Sequence, residues 1–223
     1  MEILKAEELC FSYKNRYQSV DAVKSASCAF ETGRAYAIVG KSGSGKTTLL
    51  SLLAGLEPPT SGRVLYKNEP LSKLDCDAYR LNEAAVIYQG YNLFPLLTAE
   101  ENVLYPLKLK KLPKAEAKER AKAALLSVGI EEKQFKRFPT QLSGGEQQRV
   151  AIARAIAAEN AIILADEPTG NLDISNGEQV VSILLRLAHE EGRCVIIITH
   201  DLEIAGQTDE IYMMRDGVLE AEA

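Results

Sequence analysis

The stretch that decides the fold is residues 35–48, AYAIVGKSGSGKTT, in which an apolar run leads directly into a glycine-rich segment. Residues 40–48 fit the pattern GxxxxGK[ST], and a helical pattern over residues 48–56 follows them. In the order strand, loop and helix, the glycines let backbone N–H groups wrap a phosphate, and the helix N-terminus adds favourable partial charge. A simple glycine-rich turn would not explain these flanking elements. We therefore expect a phosphate loop at residues 40–48.

Strand-like runs elsewhere in the chain indicate a parallel sheet. Residues 161–165 and 194–199 are short, rich in isoleucine and not alternating, as expected of strands that are buried on both faces. A helical pattern precedes each run, which is βαβ organisation. The first 40 residues contain short β-type runs that are separated by turn residues. The sequence therefore predicts an α/β fold around the phosphate loop.

The region from about residue 92 to residue 159 is helical instead. Residues 98–101, TAEE, form a capping-box pattern, and residues 114–128 place alanine, leucine and valine on one helical face with charges opposite. The sequence shows no internal repeat, low-complexity linker or separable second domain. It predicts one domain over residues 1–223, with a helical insertion at about 92–159.

Composition narrows the possible functions. A chain of 223 residues can bury a sizeable core. Its formal net charge of −5 argues against a general nucleic-acid binder, which carries a basic excess to neutralise phosphates. No apolar run approaches the roughly 20 residues that span a bilayer, and the charged N-terminus lacks the apolar core of a signal peptide, so we expect a soluble, cytoplasmic chain. The four cysteines are scattered and predict neither a disulfide framework nor a metal site.

A second glycine-rich segment, QLSGGEQQR at residues 141–149, lies at the start of a predicted helix. Ser143 can cap this helix with Glu146 at the capping-box position, and the N–H groups after Ser143 then form an anion site. Two adjacent glycines in a helix cost about 1 kcal/mol each relative to alanine. They are explained if bare backbone must come within hydrogen-bonding distance of a phosphate.

Two carboxylates supply the chemistry that a phosphate loop requires. Asp166 and Glu167 follow the apolar run at 161–165. Asp166 is placed to hold Mg²⁺ through water, and Glu167 is placed to polarise an attacking water as general base. Loop polarity alone would also account for two adjacent carboxylates. In the phosphate loop, Lys46 would contact the β- and γ-phosphates and Thr47 would ligate Mg²⁺.

Together, residues 40–48, residues 162–167 and LSGGEQQR at 142–149 resemble the nucleotide-binding subunit of an ATP-binding-cassette (ABC) transporter. The resemblance covers essentially the whole chain, and residues 142–149, the signature segment, match the family signature. It implies a P-loop NTPase core of the RecA-like type, an N-terminal antiparallel β-subdomain and an inserted α-helical subdomain. It also implies ATP hydrolysis coupled to transport, with ATP and Mg²⁺ as cofactors.

The resemblance assigns roles to individual residues. The residues expected to be catalytic are Glu167, His200 and Lys46. Those expected at the metal are Thr47, Gln89 and Asp166. Those expected to contact ATP are Tyr13, Gly40, Lys41, Ser42, Gly43, Ser44, Gly45, Lys46, Thr47, Thr48, Gln89, Ser143, Gly144, Gly145, Glu146 and Asp173.

Some of these roles have alternatives. Gln89 corresponds to the family glutamine that senses Mg²⁺ and the γ-phosphate beside the transmembrane coupling helix, but by itself it would be an ordinary loop amide. His200 corresponds to the switch histidine, whereas an isolated strand-end histidine is more often structural. Tyr13 corresponds to the aromatic that stacks on adenine, although Phe11 and Tyr17 are close enough in sequence to stack instead. Asp173 belongs to the family D-loop, NLD at 171–173.

In this family two subunits pack head to tail, so the signature of one closes over the γ-phosphate held by the other. The resemblance therefore implies an ATP-sandwiched homodimer, a transmembrane permease partner, and a position at the inner face of the cell membrane. LADEPTGNLD at 164–173, NLFPLLTAEENVLYPL at 92–107 and MRDG at 214–217 are similar to the group serving lipoprotein release, macrolide or antimicrobial-peptide export, haem efflux and cell-division signalling. Lys41 departs from the small residue or proline that this group often has, and its side chain can point outward.

A second function class stays open, namely a soluble ABC-type ATPase that acts on nucleic acid or the ribosome. Such proteins usually carry two cassettes in one chain or a long coiled-coil insertion. This sequence shows neither feature, and its acidic balance also disfavours that class, so no nucleic-acid partner is expected.

Overall fold

Two β-sheets and the helices around them make up residues 1–14 and 19–221, which are the residues that the computed structural model describes. The strands are β1 (Glu2–Lys14), β2 (Ser19–Glu31), β3 (Ala35–Val39), β4 (Ser61–Tyr66), β5 (Glu69–Pro70), β6 (Ala84–Tyr88), β7 (Ile162–Asp166), β8 (Cys194–Thr199), β9 (Glu210–Arg215) and β10 (Val218–Ala221). The helices are α1 (Lys46–Leu53), α2 (Cys76–Asn82), α3 (Ala99–Leu109), α4 (Lys114–Ser127), α5 (Gly144–Ala157), α6 (Ile174–His189) and α7 (Leu202–Ala205).

The larger sheet has the strand order β10-β9-β3-β8-β7-β6, and only β10 runs antiparallel to its neighbour. Strand β3 therefore lies between β8 and β9, with β7 one strand further on. Parallel strands end at the same edge of a sheet, which is where α/β folds bind ligands. The phosphate loop, Glu167, His200 and Gln89 all leave the sheet at this edge. The predicted α/β fold is confirmed.

Strands β3 and β8 are buried along their whole length, as their unbroken apolar sequences predict. Alternate residues of the neighbouring strands pack into different cores. Ile163 and Val195 belong to the core that contains α4, α5 and α6, whereas Ile162 and Ile196 belong to the core that contains α1 and the N-terminal sheet. The sheet is thus covered on both faces, which fixes the positions of its strand ends.

The smaller sheet is antiparallel, with the order β2-β1-β4-β5. The expectation of short runs separated by turn residues is wrong here, because β1 and β2 are continuous strands of 13 residues each. Their pairing contains register shifts, and Glu8 and Ser25 have positive φ angles of 48° and 49°. Bulges of this kind bend a strand without ending it, so residues typical of turns are accommodated inside it.

Helices α3, α4 and α5 lie between β6 and β7, within the stretch predicted to be helical. The capping box at Thr98 is confirmed, because its Oγ1 accepts from the N–H of Glu101 at 3.3 Å while the Glu101 carboxylate accepts from the N–H of Thr98 at 2.9 Å. The predicted apolar face of α4 is buried. No helix among the described residues has both the length and the apolar character that a membrane crossing requires.

Candidate active site

A groove of about 930 Å³ opens at the carboxyl edge of the larger sheet. It brings together most of the residues that the sequence predicts to act on a nucleotide. The predicted residues that line it are Tyr13, Lys41, Ser42, Gly43, Ser44, Gly45, Lys46, Thr47, Thr48, Gln89, Asp166, Glu167 and His200. The predicted residues that do not line it are Gly40, Ser143, Gly144, Gly145, Glu146 and Asp173.

The backbone of the phosphate loop requires glycine at particular positions. Gly45 has a φ of +106°, and a Cβ there would lie 2.1 Å from the carbonyl oxygen of Ala22. A Cβ at Gly40 would lie 2.2 Å from the carbonyl oxygen of Met214. Because backbone atoms surround these positions, no side-chain movement could make room. Gly40 therefore packs against the backbone of β9 and does not line the groove.

Lys46 and Ser44 bring buried polar groups to the phosphate loop. The Lys46 side chain is only 7% exposed, and its Nζ donates to the carbonyl oxygens of Gly40 at 2.6 Å and Lys41 at 3.0 Å. The hydroxyl of Ser44 is buried and makes no hydrogen bond within the described structure. A buried hydroxyl without a partner costs free energy, so a phosphate oxygen is a favourable ligand at this position.

Thr47 and Asp166 form the pair of oxygens predicted to hold Mg²⁺. Thr47 Oγ1 donates to Asp166 Oδ1 at 3.2 Å, which joins the start of α1 to the end of β7. Burial raises the pKa of Asp166, and the neighbouring Glu167 adds to this effect. Mg²⁺ is typically held by one or two protein oxygens plus substrate phosphates, and the pair fits that pattern. No cluster of three or more potential metal ligands of the His, Cys, Asp or Glu type occurs in the described part of the chain.

Glu167 and His200 form a hydrogen-bonded pair at the ends of β7 and β8. His200 Nδ1 lies 2.8 Å from Glu167 Oε2, and the imidazole is 70% exposed while the carboxylate side chain is 18% exposed. Glu167 has a positive φ of 46°, and its N–H donates to the carbonyl oxygen of Ile198 at 3.0 Å. This strained backbone directs the carboxylate toward the histidine. The sequence predicts a phosphate-sensing role for His200 but gives no indication of this contact.

Gln89 also lines the groove and is held by the D-loop. Its carbonyl oxygen accepts from Asn171 Nδ2 at 3.1 Å, and its side-chain Nε2 lies 3.5 Å from Asn171 Oδ1. A Cβ at Gly170 would lie 2.6 Å from Gln89 Nε2. Gly170 and Asn171 therefore set the position of the glutamine amide.

Tyr13 also lines the groove and is 53% exposed. Its hydroxyl is 3.3 Å from Thr48 Oγ1, and its ring makes an edge-on contact with Phe11 at a centroid distance of 4.9 Å. Phe11 thus supports the ring of Tyr13 from the side. Tyr17, the other possible stacking residue, lies outside the described residues.

The signature segment forms its predicted cap away from the groove. Ser143 Oγ accepts from the N–H of Glu146 at 3.3 Å, and Glu146 Oε2 accepts from the N–H of Ser143 at 2.6 Å. Gln134 Nε2 donates to the other carboxylate oxygen of Glu146. Asp173 caps α6 instead of facing the groove, and the N–H of Asn176 that it accepts holds the pKa of its carboxyl below the ordinary value.

The turn between β9 and β10 supports the phosphate loop, a role that the sequence does not indicate. Gly217 N–H donates to the Ser44 carbonyl oxygen at 3.0 Å, while the Gly217 carbonyl accepts from Lys24 N–H at 2.8 Å. Asp216 and Gly217 also line the groove. These contacts are between backbone groups that are distant in sequence, so no motif or spacing could have revealed them.

The chain is similar to known proteins in both sequence and structure. A family model described as "ABC transporter" matches residues 23–170. The ATP-binding cassette MJ0796, solved as a dimer in a post-hydrolysis state with ADP and Pi, is 37% identical, with a TM-score of 0.92 over 99% of this chain and 98% of that chain. Another dimeric structure of MJ0796, described as a bacterial ABC transporter cassette, is 38% identical, with a TM-score of 0.91 over 98% and 97%. CbiO1 from Clostridium perfringens, part of the ABC transporter complex CbiONQ, is 30% identical, with a TM-score of 0.86 over 98% and 87%.

Proposed function

This chain belongs to the ABC transporter family and is an ATPase cassette, and we propose that it is the ATP-hydrolysing subunit of a membrane transport system. In this proposal two copies dimerise on ATP and drive a transmembrane permease from the inner face of the cell membrane. The finer assignment is to the group serving lipoprotein release, macrolide export and cell-division signalling, on the motifs at 92–107, 164–173 and 214–217.

One observation carries the dimer proposal. The N-terminus of α5, which begins with the exposed Ser143 and the partly exposed Gly144, does not line the groove that contains Lys46 and Glu167. A single copy therefore presents two separate anion-binding features. A symmetric head-to-tail pair would place the Ser143 segment of each copy over the groove of the other, as expected of a closed two-fold assembly. The dimeric structures of MJ0796 support this arrangement by similarity.

The groove residues account for hydrolysis in the following way. Lys46 and the loop N–H groups hold the β- and γ-phosphates, and the aromatic ring of Tyr13 packs against the base. Glu167 accepts a proton from the attacking water, whose oxygen bonds to the γ-phosphorus as the bond to the bridging oxygen breaks. His200 holds the Glu167 carboxylate through their 2.8 Å contact. When bound at Thr47 and Asp166, Mg²⁺ would neutralise charge on the phosphates.

Substitution Glu167→Gln tests the ATP-bound dimer. Glutamine keeps the size of the side chain but cannot take the proton, so ATP and the dimer should persist. We expect the variant to sediment as a dimer with Mg-ATP and as a monomer without it. The double variant Lys46→Ala, Glu167→Gln is the control and should stay monomeric. A Glu167→Gln protein that is monomeric under both conditions would contradict the proposal.

A second groove, of about 440 Å³, is the proposed docking site for a cytoplasmic helix of the permease. Phe94 and Tyr105 line it with their rings 4.5 Å apart and remain about two-fifths exposed, at 40% and 39%. Arg80 and Arg154 also line it but are engaged by Asp77 and by main-chain carbonyl groups, so the two exposed rings favour a partner segment with apolar residues. Tyr88, which directly precedes Gln89, and Phe94, which follows it, both line this groove, so a docked helix would contact the segment that enters the active site.

Purification from detergent-solubilised membranes tests the permease proposal. We expect the tagged chain to recover an integral membrane protein, and Phe94→Asp to lose that protein while its basal ATPase activity is unchanged. Leu74→Asp, at another exposed apolar residue, is the matched control and should retain the partner. Recovery of ribosomes or DNA in place of any membrane protein would favour the soluble ATPase class. The identity of the recovered permease would also test the finer group assignment.

A further inference from the structure

Tyr91 fills the space beside the first glycine of α5. A Cβ at Gly144 would lie 2.7 Å from the Tyr91 hydroxyl oxygen, 3.6 Å from its ring carbon Cζ and 3.7 Å from Leu172 Cδ2. Gly144 does not have a positive φ, so its backbone would accept alanine. Within this chain, a methyl group at residue 144 would therefore meet the tyrosine side chain, which would have to shift.

The main chain at Tyr91 is fixed by the same helix that its ring contacts. Tyr91 and Asn92 both have positive φ angles, of 62° and 47°, and Arg154 Nη1 donates to the Asn92 carbonyl oxygen at 2.9 Å. Arg154 belongs to α5, ten positions after Gly144, which is about 15 Å along the helix axis at ~1.5 Å per residue. Helix α5 thus contacts the segment at residues 91–92 near both of its ends. The two contacts together hold this segment against the helix.

The segment at residues 91–92 follows closely in the chain after a residue that lines the groove. Gln89 lines the groove and is held by Asn171, while Tyr91 two residues later contacts Gly144. We propose that Tyr91 is a positioning residue for the signature segment, setting the distance between Gln89 and the N-terminus of α5. This inference rests on the proposed ATP-sandwiched dimer, in which the N-terminus of α5 faces the partner copy.

Gly145 provides a contrast within the same segment. A Cβ there would lie 2.3 Å from Asn176 Oδ1, at the start of α6, and Tyr91 is not among the nearest atoms. Asn176 is in turn held by Asp173 and Arg149. The two adjacent glycines therefore accommodate side chains from two different elements. If both glycines served only to let a phosphate approach, neither substitution would respond to Tyr91.

A suppressor experiment separates these explanations. In the Glu167→Gln background with Mg-ATP, we expect Gly144→Ala to lose the dimer, because the added methyl group displaces Tyr91 or α5. Adding Tyr91→Phe to Gly144→Ala removes the hydroxyl and should restore the dimer. Tyr91→Phe should not restore the dimer of Gly145→Ala, which is the matched control. Dimer formation is measured by analytical ultracentrifugation.

The outcomes distinguish this inference from the dimer proposal. If the Glu167→Gln parent does not dimerise, the proposed function fails. If the parent dimerises but Tyr91→Phe does not rescue Gly144→Ala, or rescues Gly145→Ala equally well, the positioning role is overturned. A Gly144→Ala variant that dimerises normally would also overturn it, since the tyrosine would then move aside without consequence.

Substitution Tyr91→Ala distinguishes a positioning role from a purely structural role. We expect the dimer dissociation constant in the Glu167→Gln background to rise about tenfold, a change usual for residues in contact. The affinity of the monomer for a fluorescent ATP analogue should stay unchanged, since Tyr91 does not line the groove. Tyr91→Phe should behave like the parent in both assays. Equal losses in nucleotide affinity and dimerisation would contradict the inference.

Discussion

The two glycine-rich segments of this chain are constrained by different kinds of atom. In the phosphate loop, Gly40 and Gly45 are surrounded by backbone carbonyl groups of β9 and β2, and Gly45 also has a positive φ. In the signature segment, Gly144 and Gly145 have ordinary backbone angles and are surrounded by side chains. The phosphate loop is therefore a rigid part of one copy, whereas the signature segment is positioned by groups that can be replaced. This difference fits a loop that binds nucleotide by itself and a segment that must meet a partner.

Substitution Lys46→Ala should have the largest effect. It should weaken ATP binding already in the monomer, without a partner copy. Losing a buried ammonium that is proposed to contact phosphate oxygens is expected to cost about 3 kcal/mol of binding free energy, which is roughly a hundredfold in Kd. Isothermal titration calorimetry of the monomer with ATP measures this Kd. Ser143→Ala serves as the comparison and should leave this Kd unchanged. If both variants weakened monomer binding equally, the distinction between the two segments would be lost.

Substitution Gly45→Ala should have the second-largest effect, on both stability and nucleotide binding. A non-glycine residue at positive φ costs about 1–3 kcal/mol, and the contact of 2.1 Å with the Ala22 carbonyl oxygen adds to this cost. Chemical denaturation should show the loss, together with weaker nucleotide binding. Gly43→Ala is the control, because Gly43 also has a positive φ of 79° but no atom lies within 4 Å of the added methyl group. Equal destabilisation of the two variants would show that the backbone contact does not matter.

Substitution Ser143→Ala should have a moderate effect on folding. Removing an N-cap costs about 1 kcal/mol of the free energy of unfolding. Thr98→Ala is a matched control, because Thr98 forms the same capping box on α3. We expect the two variants to lose similar stability in urea denaturation, with only Ser143→Ala weakening ATP-dependent dimerisation. A dimer defect in Thr98→Ala would indicate a general effect of helix stability.

The smallest effect should appear in the pH dependence of stability, with opposite signs for the carboxyl groups of Asp173 and Asp166. The pKa of Asp173 is lowered, so its stabilising effect is present above its unfolded pKa of ~3.9 and is lost as the pH falls through the folded value. The pKa of Asp166 is raised by burial, so its favourable contribution exists at acid pH and is lost as the pH rises through the folded value. Asp173→Asn should therefore destabilise the protein at neutral pH, and Asp166→Asn should stabilise it. Urea denaturation at neutral and acid pH checks both signs.

Features set by local patterns could be predicted from the sequence. Strand β8 and the caps at Thr98 and Ser143 depend on periodicity or on residues three positions apart, and the structure places them as expected. The length of β1 and β2 could not be predicted in this way, because bulges place turn-like residues inside continuous strands. The sequence explains the glycines at 144 and 145 by the close approach of the backbone to a phosphate. It contains no indication that the side chains of Tyr91 and Asn176 occupy the adjacent space.

The support of the phosphate loop by the turn at Gly217 has a consequence for biosynthesis. Ser44 is synthesised long before Gly217, yet their backbone groups are hydrogen-bonded in the finished fold, and Gly217 also joins the loop to Lys24 of β2. A nascent chain would thus leave the exit tunnel with its nucleotide pocket incomplete. We expect the ability to bind ATP to appear only when β9 and β10 have been added, which delays ATP binding until residues 210–221 have been translated and have folded.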